Sequence, residues 1–189
     1  MPEIGVEGQE RLLAAEVALV GSGLALEAAE RYVAGAGVAR FRRVDASHWP
    51  DAGQAWVDAL RGATLVLRAG FDDDPMLRAA VRLGVPVVVM RGGRTGADVL
   101  SFRHHGPCPH AALDIPARGA DPLPEDGGLA VVAGTLAAAE ACWRIASPAE
   151  GPRARHLKLS AEGEAIAQDI PWSPECFLCG GQSREAVTS

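Results

Sequence analysis

Short apolar runs alternate with segments of helical spacing through the first 90 residues, and this alternation constrains the fold more than any other feature. The clearest unit is the run Val17-Ala-Leu-Val20, which ends at Gly21-Ser-Gly23 and precedes the helical segment 24–35. A short apolar run bounded by glycine is typical of a buried strand that enters a tight turn. The pattern predicts further strands at 38–45, 63–69 and 85–90, and further helices at 7–16, 53–61 and 74–83. This alternation predicts an α/β fold, with a mostly parallel sheet and helices on both faces.

The rest of the chain changes character twice. Residues 91–128 are rich in Gly, Pro and His, which predicts an irregular excursion. Residues 129–146 predict a long apolar helix, and residues 155–159 a strand. The tail closes with Cys176-Phe-Leu-Cys179-Gly-Gly181. We expect a single domain over 1–189 in three parts, 1–90, 91–128 and 129–181.

Charge and composition exclude some classes of protein. The formal net charge of −6 argues against a general nucleic-acid binder, because such proteins need a basic face. No uninterrupted apolar run approaches the ~18 residues of a membrane span, and no secretion signal follows Met1. We therefore expect a cytoplasmic protein with no membrane partner, in which disulfides are not expected.

The basic residues are seventeen Arg and a single Lys, Lys158. Such an imbalance is typical of proteins encoded by genomes rich in G and C. Any mechanism that requires a lysine must therefore use Lys158.

Three blocks in one order resemble the ThiF/MoeB/HesA family, relatives of the ubiquitin-activating enzyme. The first block begins with a helix of the pattern Gly-x-Glu-x-Gln-x-Arg-Leu, followed by the glycine turn. It continues with an Ala-Gly-x-Gly segment and with an acid that follows the second strand. The second is a Gly-to-Phe hairpin followed by a cysteine, and the third is the long helix followed by Cys-x-x-Cys-Gly. The blocks are 2–12 with 17–23, 34–38 and 44–45; 96–102 with 106–108; and 129–146 with 176–180.

The resemblance implies a Rossmann-like nucleotide-binding sheet, and usually a dimer. It also implies an activity: adenylation, with ATP and magnesium, of the C-terminal Gly-Gly of a ubiquitin-like or sulfur-carrier protein, or of a peptide. In the family, the glycine turn and the acid after the second strand bind the nucleotide. By position these are Gly21, Gly23 and Asp45 in this chain.

The glycine turn departs from the family pattern. Leu24 and Leu26 stand where the family has its later glycines, and Leu26 is expected to crowd the place of the phosphates. The turn is therefore either a plain strand-to-helix connection or a working nucleotide cradle, since a cradle needs glycines for close approach of the backbone.

The segment after Asp45 is also short, because Gly62, at the start of the next strand, lies only 17 positions after Asp45. The family's helix-strand-helix, with its phosphate-binding lysine, has no room there. Binding a triphosphate without cationic partners is costly. Arg42, Arg43 or Arg61 could substitute, although such residues are more often solvated.

Three carboxylates, Asp72-Asp-Asp74, follow the strand at 63–69. An acid in this region of the family holds magnesium, and Asp72 is our candidate. The alternative is that Asp74, which precedes Pro75, caps the next helix and its neighbours are solvated.

The cysteines predict a structural zinc site. Tetrahedral zinc takes four N or S ligands, commonly as two close pairs. Cys176 and Cys179 form one pair, and Cys108 with His105 or His110 forms the other. His105 has the three-residue spacing of a half-site. The alternative is an empty or partial site. Cys142, within the long helix, is predicted to be a buried small hydrophobe.

Two function classes follow. The first is a reduced family member that binds a carrier protein or precursor peptide without adenylating it, as a homodimer or beside a fuller relative. The second is an active minimal ATP-dependent adenylyltransferase with rearranged phosphate contacts. An unrelated Rossmann-like protein remains a third possibility.

Overall fold

The computed structural model describes residues 4–44, 53–70, 75–103, 127–148 and 154–170. In these ranges the chain forms five helices and seven strands. The helices are α1 (Val6–Ala14), α2 (Leu24–Gly35), α3 (Gly53–Leu60), α4 (Pro75–Leu83) and α5 (Gly127–Ala146). The strands are β1 (Glu16–Val20), β2 (Arg40–Val44), β3 (Leu65–Ala69), β4 (Val87–Gly93), β5 (Gly96–Phe102), β6 (Ala154–Ser160) and β7 (Ala165–Asp169).

The described strands form one sheet in the order β2-β1-β3-β4-β5-β6-β7. The first four strands in this order are parallel to one another, and β5, β6 and β7 are then added antiparallel. The predicted α/β architecture with a mostly parallel sheet is confirmed. Each parallel strand is reached by a crossover through a helix, and the right-handedness of such crossovers decides on which face of the sheet that helix lies.

Helices cover both faces of the sheet, as the alternation predicted. Side chains on one face pack against α1, α2 and α5, and those on the other face pack against α3 and α4. Successive residues of β1 alternate between these two cores, with Leu19 in the first and Val20 in the second. Both faces of β1, β3 and β4 are therefore buried, which explains why these strands are apolar without a period of two.

The excursion predicted at 91–128 is wrong for its first twelve residues. β4 continues to Gly93, and β5 returns antiparallel from Gly96, which is the hairpin that the family resemblance implied. A Cβ at Gly96 would overlap the carbonyl oxygen of Leu159 on β6, so glycine is required for that pairing. β7 was not predicted, and all five of its residues are exposed.

α5 is the described helix that is long and apolar enough to cross a membrane by length and composition alone. The sequence did not indicate this, because Glu140 and Arg144 interrupt its apolar run. Ten of its twenty residues are nevertheless buried within the fold, against α2 and the sheet. α5 is thus packed as the core helix of this domain.

Candidate functional site

The strand order marks a position at the carboxyl end of the parallel strands, between β1 and β3. From β1 the chain passes to β2 on one side, and it later enters β3 on the other side of β1. The helices that follow β1 and β3, α2 and α4, therefore lie on opposite faces. In open α/β sheets, ligands bind beyond the carboxyl ends of the strands at such a point of divergence, and we call this position, at the ends of β1 and β3, the crevice.

Glycines form the walls of this crevice where the structure describes it. Gly21 and Gly23 follow β1 with φ of 96° and 108°, and Gly70 follows β3 with φ of 93°. These values favour glycine, because a side chain is strained in that region of backbone conformation. A Cβ at Gly21 would also lie 3.1 Å from the carbonyl oxygen of Ala69. The ends of β1 and β3 therefore approach each other closely at Gly21 and Ala69.

The two leucines after the turn have different roles. Leu26 is 1% exposed and packs in the core shared by α2, α5 and the sheet. The expectation that Leu26 crowds a phosphate is therefore wrong, since its side chain is directed into the core. Leu24, the first residue of α2, is 45% exposed. Its Cδ1 lies 3.8 Å from the point where a Cβ on Gly127 would stand.

The three arginines that could substitute for the family's lysine are engaged elsewhere. Arg42 pairs with Glu16 and donates to the carbonyl oxygen of Ala59 (2.8 Å), near the amino end of β1. Arg43 pairs with Glu30 of α2. Arg61 pairs with Asp58 at 3.3 Å, and it precedes β3, so it also lies away from the carboxyl ends of the strands.

Lys158 lies on β6, three strands beyond β3 in the sheet. With neighbouring strands ~4.8 Å apart, this places its backbone about 14 Å from β3. Lys158 is therefore too far from the crevice to take the place of a phosphate-binding lysine.

Arg68, near the crevice, was not among the predicted site residues. It is the penultimate residue of β3 and only 6% exposed. By strand alternation its side chain shares a face with Val66, on the side of α3 and α4. The signal in the sequence was a single charged residue within an otherwise apolar strand.

The other predicted site residues lie outside the described residues. Asp45 and Asp72 follow β2 and β3 in sequence. The proposed zinc ligands Cys108, Cys176 and Cys179, with His105 or His110, also lie there. Within the described ranges, no group of three or more His, Cys, Asp or Glu residues could hold a metal ion.

A buried polar network lies toward the amino ends of the parallel strands, where the antiparallel strand β5 ends. Ser101 Oγ donates to Glu140 Oε2 at 2.8 Å, and Arg144 Nη2 donates to Ser101 Oγ at 2.7 Å. Arg155 Nη1 donates to Glu140 Oε1 at 3.0 Å, and its guanidinium stacks over Trp143 at 5.7 Å. The network joins α5 to β5 and β6.

Burial lowers the pKa of Arg144 to about 10. The carboxylate of Glu140 opposes this shift in the pKa, and the positive charges of Arg103 and Arg155 add to it. Burial also lowers the pKa of Arg103, whose Nη2 donates to the carbonyl oxygen of Ser147 at 3.1 Å. With a pKa of about 10, Arg144 remains charged at neutral pH, and Glu140 Oε2 lies 4.0 Å from its Nε.

A second polar row crosses β5, β6 and β7 on the other face. His156 Nε2 lies 2.9 Å from Asp98 Oδ1, and Gln168 Nε2 lies 3.4 Å from His156 Nδ1. Arg91 Nη2 lies 3.9 Å from Asp98 Oδ2. The row fixes the register of the strands added beyond β4.

No protein-family model and no curated protein sequence matches this chain. Solved structures do match it in fold. E. coli MccB with ATP is 13% identical, with a TM-score of 0.67 over 93% of this chain and 70% of that one. The microcin C7 biosynthetic enzyme MccB in complex with N-formylated MccA is 13% identical, with a TM-score of 0.68 over 93% and 70%.

A structure of PaaA is also similar, with 13% identity and a TM-score of 0.64 over 86% of this chain and 66% of that one. At such identities the likeness establishes the fold. The α/β architecture that the sequence predicts is therefore also the architecture of MccB.

Proposed function

We propose that this protein is a reduced ThiF/MoeB-like protein that binds a ubiquitin-like or sulfur-carrier protein, or a peptide, without adenylating it. The observation that carries the proposal is the crevice between β1 and β3. It keeps the glycine-walled geometry of a ligand site, but the first residue of α2 presents an exposed apolar side chain. The likeness to MccB, solved with the peptide MccA, supports a peptide as the partner.

The charges near the crevice argue against adenylation. Adenylation from ATP requires cations that neutralise the phosphates as charge moves in the transition state. Arg42, Arg43 and Arg61 are held in other pairs, and Lys158 lies three strands away. In the described part of the connection between β2 and β3 there is one helix, α3, where the family resemblance implies a helix-strand-helix with the phosphate-binding lysine.

The second candidate is an active minimal adenylyltransferase. Gly21, Gly23 and Gly70 retain the close approach that a nucleotide needs, and Arg68 supplies a cation at the carboxyl end of β3. MccB, which is similar in fold, has been solved with ATP. In this candidate, Asp45 and Asp72 would hold the ribose and magnesium.

Two measurements on the wild-type protein separate the candidates. Calorimetry with ATP and magnesium is expected to show weak or no binding. ATP–pyrophosphate exchange, with and without Gly-Gly carriers or candidate peptides, is expected to stay at background. A micromolar, magnesium-dependent dissociation constant together with carrier-dependent exchange would instead establish the adenylyltransferase.

We also propose that the protein works as a dimer, with itself or with a fuller relative. A partly exposed and uncharged stripe follows α5 and supports this: Val131, Val132, Thr135, Leu136, Ala139 and Cys142. Light scattering is expected to give twice the mass of 19.6 kDa, or a partner is expected to co-purify. A monomer at high concentration with no co-purifying partner would contradict this proposal.

A further inference from the structure

The two edges of the sheet differ in how they are protected against the addition of another strand. β2 forms one edge, and three of its five residues are arginines, Arg40, Arg42 and Arg43. Charged side chains on an edge strand discourage pairing with a further strand. β7 forms the other edge and carries a single charged residue, Asp169, although all five of its residues are exposed. β7 is therefore the edge that lacks this protection.

The hydrogen bonds of the β6–β7 hairpin show which backbone groups of β7 point outward. Ser160 N–H donates to the Glu164 carbonyl oxygen at 2.8 Å, and Ile170 N–H donates to the Ala154 carbonyl oxygen at 3.1 Å. In an antiparallel pair, bonded and non-bonded residue pairs alternate. The even-numbered residues of β7 therefore bond to β6, and the odd-numbered residues direct their N–H and C=O groups away from it. Among the described strands, none pairs with that outer side of β7.

A second copy of β7 fits this outer side when the two copies run antiparallel about a twofold axis at Ala167. In that register Ala167 lies opposite the partner's Ala167, and Ala165 lies opposite the partner's Asp169. These are the residues with outward backbone groups, so each outward N–H of one copy meets an outward C=O of the other. The edge is thus complementary to itself, as a twofold interface requires.

The side chains of β7 are compatible with this register on both faces of the sheet. Ile166, which is 51% exposed, lies opposite the partner's Gln168, so part of its apolar surface leaves water. Asp169 lies opposite the small, uncharged Ala165, so no two like charges face each other directly. Residues 154–169 contain two basic and three acidic residues, so the hairpin carries little of the net charge of −6. Repulsion between two copies is therefore weak at this edge.

We propose that β7 joins two copies of this chain edge to edge, so that their sheets continue into one another through an antiparallel pair. This interface is separate from the dimer proposed through α5, because α5 packs against β3, β4 and β5 and β7 is the last strand of the sheet. The inference does not depend on the proposed function. The contact consists mainly of backbone groups and small side chains, so it belongs to the weak, concentration-dependent class of interfaces.

The test measures hydrogen exchange of single backbone amides in the full chain by NMR, at low and at high protein concentration. Pairing with a second β7 protects the outward amides of Ala165, Ala167 and Asp169, whereas those of Ile166 and Gln168 already bond to β6. We expect exchange at the three outward amides to slow at least about tenfold as the concentration rises. Exchange at the two inward amides is expected to stay the same.

Ala167→Pro removes one outward N–H and no bond to β6, and proline is tolerated on an edge strand in such a position. We expect it to abolish the concentration-dependent protection of Ala165 and Asp169. Ala167→Val keeps the N–H group and is expected to keep the protection. Ala167→Lys is a second disrupting variant, because it places two like charges opposite each other. Its matched control is Ala161→Lys, since Ala161 is exposed in the turn of the same hairpin.

Circular dichroism is expected to show that the lysine variants are folded, which keeps the test valid if the proline variant is not. Fast exchange at the Ala167 amide at every concentration would overturn the inference. It would leave the dimer through α5 standing, because that contact does not cover the outward amides of β7. Equal protection in the Ala167→Lys and Ala161→Lys proteins would also overturn the inference.

Discussion

Gly134 on α5 lies directly against Ala25 on α2, so closely that a Cβ at Gly134 would overlap the Ala25 carbonyl oxygen. The same Cβ would stand 2.8 Å from the Cβ of Ala28. The residue without a side chain therefore sets the distance between the two helices. Because both helices begin near the crevice, this contact also sets the spacing of their first turns.

Gly134→Ala is expected to destabilise the fold, because the neighbouring atom is backbone and cannot rotate away. Overpacking of this kind costs about 1–3 kcal/mol in the free energy of unfolding. Gly128→Ala, in the same helix, is the matched control, since nothing lies within 4 Å of its Cβ. Alanine there is expected to be neutral or slightly stabilising. Urea denaturation of both variants checks the prediction, and equal effects would contradict it.

Glu140→Ala is expected to be strongly destabilising. It removes the acceptor of Ser101 Oγ and Arg155 Nη1 and leaves the buried guanidinium of Arg144 without its neutralising carboxylate. Loss of one partner from a buried ion pair costs about 3–5 kcal/mol. The measurement is the free energy of unfolding at neutral pH.

Two comparisons make that result specific. Glu140→Gln keeps an acceptor oxygen, so its loss should be smaller. Glu7→Ala breaks an exposed pair with Arg11 and should change stability by less than about 0.5 kcal/mol. Similar losses for Glu140→Ala and Glu7→Ala would show that the buried network contributes little.

Cys142 is expected to react slowly with alkylating reagents near neutral pH. Burial raises the pKa of its thiol, and a backbone hydrogen bond partly opposes the shift in pKa. Only the thiolate is nucleophilic, so a raised pKa lowers the reactive fraction at any pH below it. Peptide-resolved mass spectrometry after iodoacetamide treatment should show a rate whose rise with pH is displaced to higher pH relative to urea-unfolded protein. Identical pH profiles would disprove the burial effect.

The zinc site proposed from the sequence predicts one zinc per chain in protein purified without chelator. Cys176→Ser is expected to release the metal and to increase proteolysis of the tail, because structural zinc contributes folding energy. His105→Ala is expected to do the same, whereas His104→Ala should do neither. Elemental analysis that finds well under one zinc per wild-type chain would remove the site.

The alternation of apolar runs and helical segments determined the fold class, and glycine after β1 determined where the crevice lies. These are local properties: a run such as Val17–Val20 specifies a buried strand, and Gly21 and Gly23 specify the turn that follows it. β7 escaped prediction because an edge strand exposed on both faces has no burial pattern to detect.

Only the tertiary structure decided which side chains face the crevice and which charges are already paired. Leu24 and Leu26 are two residues apart in sequence, yet one is exposed and the other lies in the core. Arg42 meets Glu16, and Ser101 meets Glu140, across 26 and 39 positions of sequence. Such partners are brought together by the packing of strands and helices, which depends on the whole chain, and local sequence carries no record of them.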